Sequence, residues 1–205
     1  MGWTFNGWYF LFNLGGGKAS DGRIIRNHIM DAENIVGLFQ KYSVPHPTFD
    51  LLSVDLDFND FFIAQSILLA GYTPNVLIVE YNRNWGPDES FTIRYDAKRR
   101  WNGDSYFGIS ALAAARLVKR FGYHTVYFDT NGVNMFAIKK SYLCDYIKRK
   151  IGYEITIDEL EDYLPTFESV YRRSPPLHIQ TAQEFNENKL KNDWIKVDEG
   201  GKALL

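Results

Sequence analysis

Two short apolar stretches, each ending in acidic or amide side chains, constrain the fold of this chain most strongly. The first, at residues 49–60, reads FDLLSVDLDFND, and the second, at residues 74–82, reads PNVLIVEYN. Residues 61–72 between them carry the apolar periodicity of a helix. A strand, a helix and a second strand predict a βαβ unit with parallel strands. Ligands of such sheets bind outside the carboxyl ends of the strands, so this edge is the expected location of a ligand-binding site.

Further elements extend the unit on both sides. Upstream, residues 8–14 predict a strand, residues 15–22 a glycine-rich loop, residues 23–30 a short second strand, and residues 32–42 a helix capped by Asp31. These elements place the βαβ unit inside a larger α/β sheet.

Downstream, the pattern predicts a long polar loop at 82–104, a helix at 106–121, and strands at 123–129 and 133–139. The Asn-Gly pair at 131–132 between the last two strands is a strong hairpin signal. The predicted class is therefore α/β and doubly wound, with a mostly parallel sheet that ends in an antiparallel strand.

The α/β pattern of the sequence gives way to short helical segments after residue 145, which predicts two domains of unequal size. Residues 1–145 form the α/β domain, and residues 146–205 form a helical or irregular C-terminal appendage. Within the appendage, Thr156 and Thr181 each begin a capping-box sequence.

Composition restricts the partners. The net charge of −2 provides no general attraction to nucleic acid or to an anionic membrane, and the short basic runs at 98–100, 148–150 and 172–173 are expected to be solvated surface. The apolar run at 8–14 is too short to span a membrane and lacks a basic leader. The single cysteine, Cys144, excludes an intrachain disulfide and fits a cytoplasmic protein. The expected partner is a small-molecule substrate.

The first strand end carries a family resemblance. The residues SVDLDFND at 53–60 resemble the Ile-Asp-x-(Asp/Glu)-Gly-x-(Asp/Glu) signature of FkbM-type methyltransferases, and VEYN at 79–82 resembles the acidic end of that family's next strand. Shorter matches to a eukaryotic, largely uncharacterised branch of the family occur at 31–35, 95–96, 101–103, 106–108 and 131–134. The resemblance implies a Rossmann-like sheet, S-adenosylmethionine as the methyl donor, and O-methyl transfer to a small or glycan-like hydroxyl substrate.

The chain departs from the family in two ways. Phe58 stands in place of the signature glycine. Its ring either blocks the close approach of a ligand to the backbone or stacks on a neighbouring group. The N-terminal cofactor half is also abridged, and two alignments compete. In one, residues 12–19 are a degenerate glycine loop in which Asn13, Gly15 and Gly17 bind the cofactor. In the other, which we favour because Gly-Trp and an apolar run are typical of it, residues 7–14 are the family's second strand and the glycine loop is missing.

Acidic side chains at the strand ends are the candidate catalytic residues. Asp55 and Asp57 project to one side of an extended chain, and Glu80 and Asn82 are paired in the same way. Asp57 or Glu80 is a candidate general base. Oxygen ligands from Asp55, Asp57 and Asn82 also suit Mg²⁺, as in some catechol-type O-methyltransferases that this edge resembles. The alternative is that Asp55 caps the following helix and Asp57 meets backbone amides there.

Aromatic and amide groups near the same edge are the candidate substrate-binding residues. They are Tyr81, Asn82, Trp101 and Tyr106, with packing of the long loop as the alternative role of the rings. Three functional hypotheses remain open: an O-methyltransferase, a non-catalytic methyltransferase-like binding module, and a fragment that lacks the cofactor loop. If the first strands are missing, an uncovered sheet edge predicts self-association.

Overall fold

The computed structural model describes residues 8–12, 31–173 and 182–204. The predicted strand at 23–30, the cofactor-loop residues Asn13, Gly15 and Gly17, and the capping box at Thr181 lie outside the described residues. In chain order the elements are β1 (Trp8–Phe12), α1 (Ile35–Lys41), β2 (Leu51–Asp55), α2 (Asp60–Leu69), β3 (Val76–Glu80), β4 (Phe91–Ile93), α3 (Ala111–Arg120), β5 (Tyr123–Phe128), β6 (Asn134–Lys139), α4 (Lys140–Ile151), α5 (Ile157–Glu161), α6 (Phe167–Arg173), α7 (Ala182–Lys191) and β7 (Trp194–Lys196).

The main sheet has five strands in the order β1-β2-β3-β6-β5. Strands β1, β2 and β3 are parallel, and β6 lies antiparallel between β3 and β5. The predicted βαβ unit, the hairpin and the α/β class are therefore confirmed. A second, two-stranded antiparallel sheet joins β4 to β7.

Burial explains why the central elements are apolar on every side. In β2, which lies between β1 and β3, three consecutive residues from Leu52 to Val54 are buried. Helix α2 contacts β2, β3, α1 and α3, and seven of its ten residues are buried. A helix that is apolar all round is stable only where neighbours cover it on several sides, and α2 occupies that position.

The helix predicted to begin at residue 106 begins at Ala111 instead. Ser110 is its N-cap, and the Ser110 hydroxyl accepts a hydrogen bond from the N–H of Ala113 at 3.2 Å. Residues 106–109 precede the helix because Tyr106 and Ile109 are buried in the core, and Ile109 forms a bridge with Thr92. Apolar periodicity alone did not separate these core residues from the first turn of the helix.

The C-terminal segment contains the end of α4, helices α5, α6 and α7, and β7, and the predicted capping box at Thr156 is confirmed. This segment packs onto the rest of the described chain. Strand β7 pairs with β4 from the long loop, and Val170, Tyr171 and Val197 belong to the main hydrophobic core. The loop at 82–104 is therefore held from both sides, by the sheet and by the C-terminal segment. Across the described residues, no helix combines the length and apolar character needed to cross a membrane.

Gly201 lies where the C-terminal turn packs against α3, so a substitution there tests how closely the turn docks. Gly201 has φ +72°, and a Cβ there would lie 2.5 Å from the backbone oxygen of Arg116. We expect Gly201→Ala to lower the free energy of unfolding by about 1–3 kcal/mol, because the backbone is left-handed and the contact is to rigid main chain. Urea unfolding followed by circular dichroism measures the change.

The neighbouring glycine provides the matched control. A Cβ on Gly200 would meet only the Asp198 side chain, at 3.3 Å, and its φ is not in the left-handed range. Gly200→Ala should stay within about 0.5 kcal/mol of the parent chain. Equal stability of the two variants would show that the C-terminal turn does not dock on α3 as described.

Candidate functional site

The carboxyl ends of β2 and β3 bring three acidic side chains together. Oxygen atoms of Asp55, Asp57 and Glu80 all lie within 4.8 Å of one another. Asp55 is the last residue of β2, and Glu80 is the last residue of β3. Because the two strands are parallel and in register, their ends meet at one edge of the sheet. The structure thus assembles the three predicted catalytic residues in one place.

The turn between β2 and α2 is built around this cluster. Asp57 has φ +63°, a left-handed conformation that Asp and Asn tolerate better than other residues with side chains. Its N–H donates to Glu80 Oε2 at 3.1 Å, and the N–H of Leu56 donates to Asp60 Oδ1 at 2.8 Å. Two carboxyl groups therefore hold two of the backbone donors of the turn.

Phe58, at the position where the resembled signature has glycine, lies next to the left-handed residue of the turn. The left-handed residue of the turn is Asp57, and Phe58 itself has no positive φ. The Phe58 ring is buried and meets the Tyr106 ring edge-on, with centroids 6.0 Å apart, while the Arg99 guanidinium lies 5.3 Å from its centroid. Phe58 thus supplies a ring to the packing of the long loop.

Asp60 is a fourth member of the cluster that the sequence analysis did not single out. It is the first residue of α2 and is fully buried, and its Oδ2 atom has no hydrogen-bond partner among the described residues. Of the three aspartates, Asp60 repels Glu80 most strongly. The signal was present in the sequence, because Asp60 stands where the signature that residues 53–60 resemble has its last acid.

Burial and mutual repulsion shift the protonation of these groups. Burial, followed by repulsion from Asp60, Asp55 and Asp57, raises the pKa of Glu80 to about 9. Burial is also the main cause that raises the pKa of Asp60 to about 7, against the lowering effect of the Leu56 N–H. Burial and then Asp57 raise the pKa of Asp55. None of the ion pairs among the described residues includes any of these groups, so no Lys or Arg side chain in that part of the chain forms an ion pair with them.

A half-open pocket adjoins the cluster, with a cavity volume of about 110 Å³. Eight residues line it: Asp57, Glu80, Tyr81, Arg83, Trp101, Phe107, Gly132 and Val133. The pocket joins two carboxyl groups, a guanidinium group and two apolar rings. Pockets for drug-sized ligands measure about 300–1,000 Å³, so this one holds a small group or one ring of a larger ligand.

Arg83 and the turn at 131–133 are pocket components that the sequence analysis did not assign to the site. An Arg83 Nη1 hydrogen donates to the Asn131 carbonyl, and Arg83 Nε is buried with no partner in the described part of the chain. The Tyr81 N–H donates to the Val133 carbonyl at 2.8 Å. The hairpin turn thus packs against the end of β3 and closes one side of the pocket. Nothing local in the sequence marks this contact.

Two of the predicted substrate-binding residues line the pocket. Trp101 lies at the rim with 45% of its surface exposed, and its ring lies 5.6 Å from that of Phe107. Tyr81 also borders the pocket, but its ring is buried against Phe128, with centroids 5.2 Å apart, and burial raises the pKa of its hydroxyl. Trp101 is therefore the exposed aromatic surface of the site.

The polar atoms of Asn82 and Tyr106, two predicted substrate-binding residues, are engaged in hydrogen bonds within the protein. Asn82 Nδ2 donates to the carbonyls of Ser105 and Phe107, at 2.9 and 3.1 Å, while Oδ1 accepts two hydrogen bonds from Asn84. No atom of the Asn82 amide remains for an ion or a substrate. The Tyr106 hydroxyl donates to the Asp193 carbonyl and accepts from the Arg94 N–H, so it is equally engaged.

The capping alternative for Asp55 does not match the structure. Helix α2 has no side-chain capping hydrogen bond, and its N-cap residue is Asn59. Asp57 meets the turn only through its own backbone, and it is Asp60 that accepts a backbone N–H there. The carboxyl groups of Asp55 and Asp57 are therefore left to face the cluster.

Searches against models of known families, curated proteins and solved structures find no match for this chain.

The shifted acids predict how stability depends on pH. The folded protein holds a proton on Glu80 up to about pH 9, whereas the unfolded chain releases it near pH 4.5. The folded state then binds more protons, so stability falls as pH rises across this window, by up to about 1.4 kcal/mol per pH unit for one proton. Urea unfolding of the parent chain and of Glu80→Gln at several pH values measures the slope.

Glu80→Gln keeps the shape of the side chain and removes its titration, so the decline should become shallower and, above about pH 7 where Asp60 is ionised in both states, should flatten. Glu199→Gln, at an exposed position of the C-terminal turn, is the control and should retain the parent slope. A parent protein whose stability is constant from pH 5 to pH 9 would contradict the burial of a protonated Glu80.

Proposed function

We propose that this chain is an S-adenosylmethionine-dependent methyltransferase-like protein whose strand-end carboxyl groups bind a hydroxyl group of a small or glycan-like substrate. One observation carries the proposal: Asp57 and Glu80, at the ends of neighbouring parallel strands, line the same half-open pocket. That is the place where open α/β sheets bind ligands.

The strand order supports the family resemblance. The Rossmann-like sheet of methyltransferases ends in an antiparallel hairpin strand, and β6 is antiparallel between β3 and β5. The signature residues 53–60 span the end of β2, the turn and the first residue of α2. Order of elements and position of the signature thus agree with the fold that the resemblance implies.

The pairing of β1 bears on the two N-terminal alignments. In the doubly wound order 3-2-1-4-5, the first strand lies beside the fourth strand, whereas the second strand does not. The resemblance places the signature strand fourth in this order. Strand β1 pairs directly with β2, the signature strand. This supports the alignment in which residues 12–19 follow a first strand, with Asn13, Gly15 and Gly17 as the cofactor loop. The described residues would then form the acceptor side of the site.

The pocket residues suit the handling of a hydroxyl group. S-adenosylmethionine supplies an activated methyl group when bound. Asp57, with its side chain at the pocket, is placed to accept the hydroxyl proton, while protonated Glu80 donates a hydrogen bond at neutral pH. Trp101 and Phe107 offer apolar faces against which a ring substrate can stack.

A divalent cation such as Mg²⁺ fits the same carboxyl groups. Asp55, Asp57 and Glu80 present oxygen atoms within 4.8 Å of one another, and no described cationic side chain forms an ion pair with them. Oxygen-only ligands match Mg²⁺ or Ca²⁺. Such an ion would lower the pKa of a bound hydroxyl. The set differs from the predicted one by Glu80 in place of Asn82.

A non-catalytic binding module is the second candidate function. The small size of the pocket and the burial of Phe58 at the signature glycine favour it. Such a module would bind a hydroxyl-bearing ligand through the same carboxyl groups without a methyl donor.

Titration calorimetry with S-adenosylhomocysteine separates the two functions. Micromolar binding with one site per chain is the expected result for a methyltransferase. No binding up to millimolar concentrations would overturn the enzymatic proposal for this chain and leave the binding module. Thermal unfolding with and without the compound provides an independent readout, because a ligand of the folded state raises the melting temperature.

The metal proposal predicts an effect of Asp57→Asn. Asn tolerates the left-handed conformation of residue 57, so this variant removes one charge without straining the turn. We expect Mg²⁺ or Mn²⁺ to raise the melting temperature of the parent chain, and Asp57→Asn to abolish that gain. Asp88→Asn, at an exposed position in the loop, should keep it. An ion-induced gain in melting temperature that persists in Asp57→Asn would show that the ion does not bind at this cluster.

A further inference from the structure

Arg83 gives the pocket a positive charge. Among the eight described residues that line the pocket, it is the one with a cationic side chain. Asp57 and Glu80 line the same pocket, but Arg83 forms an ion pair with neither of them, nor with any other acid in the described part of the chain. The pocket thus offers a cationic group and acidic groups as separate points of contact for a ligand.

The guanidinium group of Arg83 is held at one nitrogen and keeps further donors. A guanidinium carries several N–H donors in a planar fork. Nη1 donates to the Asn131 carbonyl of the hairpin turn, and this is the hydrogen bond that the side chain forms within the described residues. The buried Nε has no partner there. Leaving a charged donor unpaired is unfavourable, so an anion that enters the pocket beside Arg83 would supply a missing partner.

Other donors beside the pocket are already in use. In the hairpin turn, the N–H of Gly132 donates to the Asp129 carbonyl at 3.1 Å, and the N–H of Val133 donates to Asp129 Oδ1 at 2.7 Å. At the rim, Trp101 Nε1 donates to the Asp104 carbonyl. An anionic group of a ligand is therefore expected to contact the guanidinium group rather than the turn or the indole.

The remaining groups of the pocket suit a ring that carries a hydroxyl. Asp57 and Glu80 are the hydroxyl-binding groups proposed above. Trp101 and Phe107 present rings whose centroids lie 5.6 Å apart, with Trp101 exposed at the rim. The cavity volume of about 110 Å³ is enough for one ring, but it is far below the size of sites for larger ligands.

We propose that this pocket binds a ring that carries both a hydroxyl and a carboxylate group, and that Arg83 binds the carboxylate. The inference rests on the function proposed above, because it uses the same pocket and the same hydroxyl-binding acids. A carboxylate and a guanidinium group are both planar and form paired, charge-assisted hydrogen bonds.

A carboxylate fits this pocket better than a phosphate group does. A phosphate monoester carries more negative charge at neutral pH, and the described lining supplies no second cation to balance it. A carboxylate matches the single charge of Arg83. Phenolic acids and the uronic acids of glycans both combine a ring, a hydroxyl and a carboxylate, so the experiment must distinguish these two sources.

A purely structural role for Arg83 makes a different prediction. In that case the guanidinium group only ties the hairpin turn to the end of β3 through the Asn131 carbonyl. Substitution of Arg83 would then change the stability of the protein without changing which ligands it prefers.

Pairs of acids and amides of the same shape test the proposal. NMR titrations of the full chain at neutral pH, with S-adenosylhomocysteine present, compare para-hydroxybenzoate with para-hydroxybenzamide and glucuronate with glucuronamide. The chain should bind at least one acid about tenfold or more tightly than its amide, as expected for the loss of a charge-assisted contact. The pair that shows this preference identifies a phenolic or a glycan source.

Variants of Arg83 assign the preference to this residue. Arg83→Gln should bind the acid and its amide about equally, whereas Arg83→Lys, which keeps the charge but not the planar fork, should retain part of the preference. Arg120→Gln, at an exposed residue that ends α3 and does not line the pocket, is the matched control and should keep the full preference. Circular dichroism verifies that each variant is folded. If Arg83→Gln does not fold, Arg83→Lys and the parent chain decide the outcome.

Equal binding of acid and amide by the parent chain would overturn the proposal, as would the absence of binding by both acids. A preference that Arg83→Gln retains would also overturn it, and so would inorganic phosphate that binds at Arg83 more tightly than either acid. The test separates this inference from the enzymatic function. Binding of S-adenosylhomocysteine without a preference for the acid contradicts the substrate class alone. A preference for the acid without binding of S-adenosylhomocysteine contradicts the enzyme alone.

Discussion

The site depends on one constraint: the sheet edge where β2 and β3 end must satisfy its backbone donors with buried carboxyl groups. The N–H groups of Leu56 and Asp57 are both held by acids, from Asp60 and Glu80. Both hydrogen bonds are partly buried, and a fully buried donor without a partner costs about 1–3 kcal/mol, so the acids stabilise the turn by less than that for each donor. Burial, and after it repulsion from neighbouring acids, raises the pKa values of Asp60 and Glu80, so the same groups that shape the turn are placed to exchange protons or to bind a cation.

The long loop completes the site because it is fixed at several points. Asn82 joins the end of β3 to the carbonyls of Ser105 and Phe107, and Tyr106 packs against Phe58 and Trp194. These contacts bring Trp101 and Phe107 to the pocket. Asn82 and Tyr106, which were predicted to bind substrate, thus hold the loop that supplies one wall of the pocket.

Local signals were sufficient for the elements and the acidic edge. Apolar runs of strand length, the Asn-Gly turn and the capping box at Thr156 each depend on nearby residues, and all three appear in the structure. Contacts between distant residues were not visible in the sequence. The pairing of β7 with β4, the role of Arg83 and the saturation of the Asn82 amide all join segments that are far apart in the chain. Asp60 lies between these cases. Its position in the sequence matched an acid of the resembled signature, but nothing in the sequence indicated that its side chain is buried.

Glu80 keeps a proton at neutral pH because it is buried beside Asp60. The most direct measurement is a pH titration of the Glu80 side-chain carboxyl carbon by NMR, with the resonance assigned by its loss in Glu80→Gln. The structure predicts an inflection near pH 9, well above the ordinary value of 4.5 for a glutamate. An inflection near 4.5 would contradict the account.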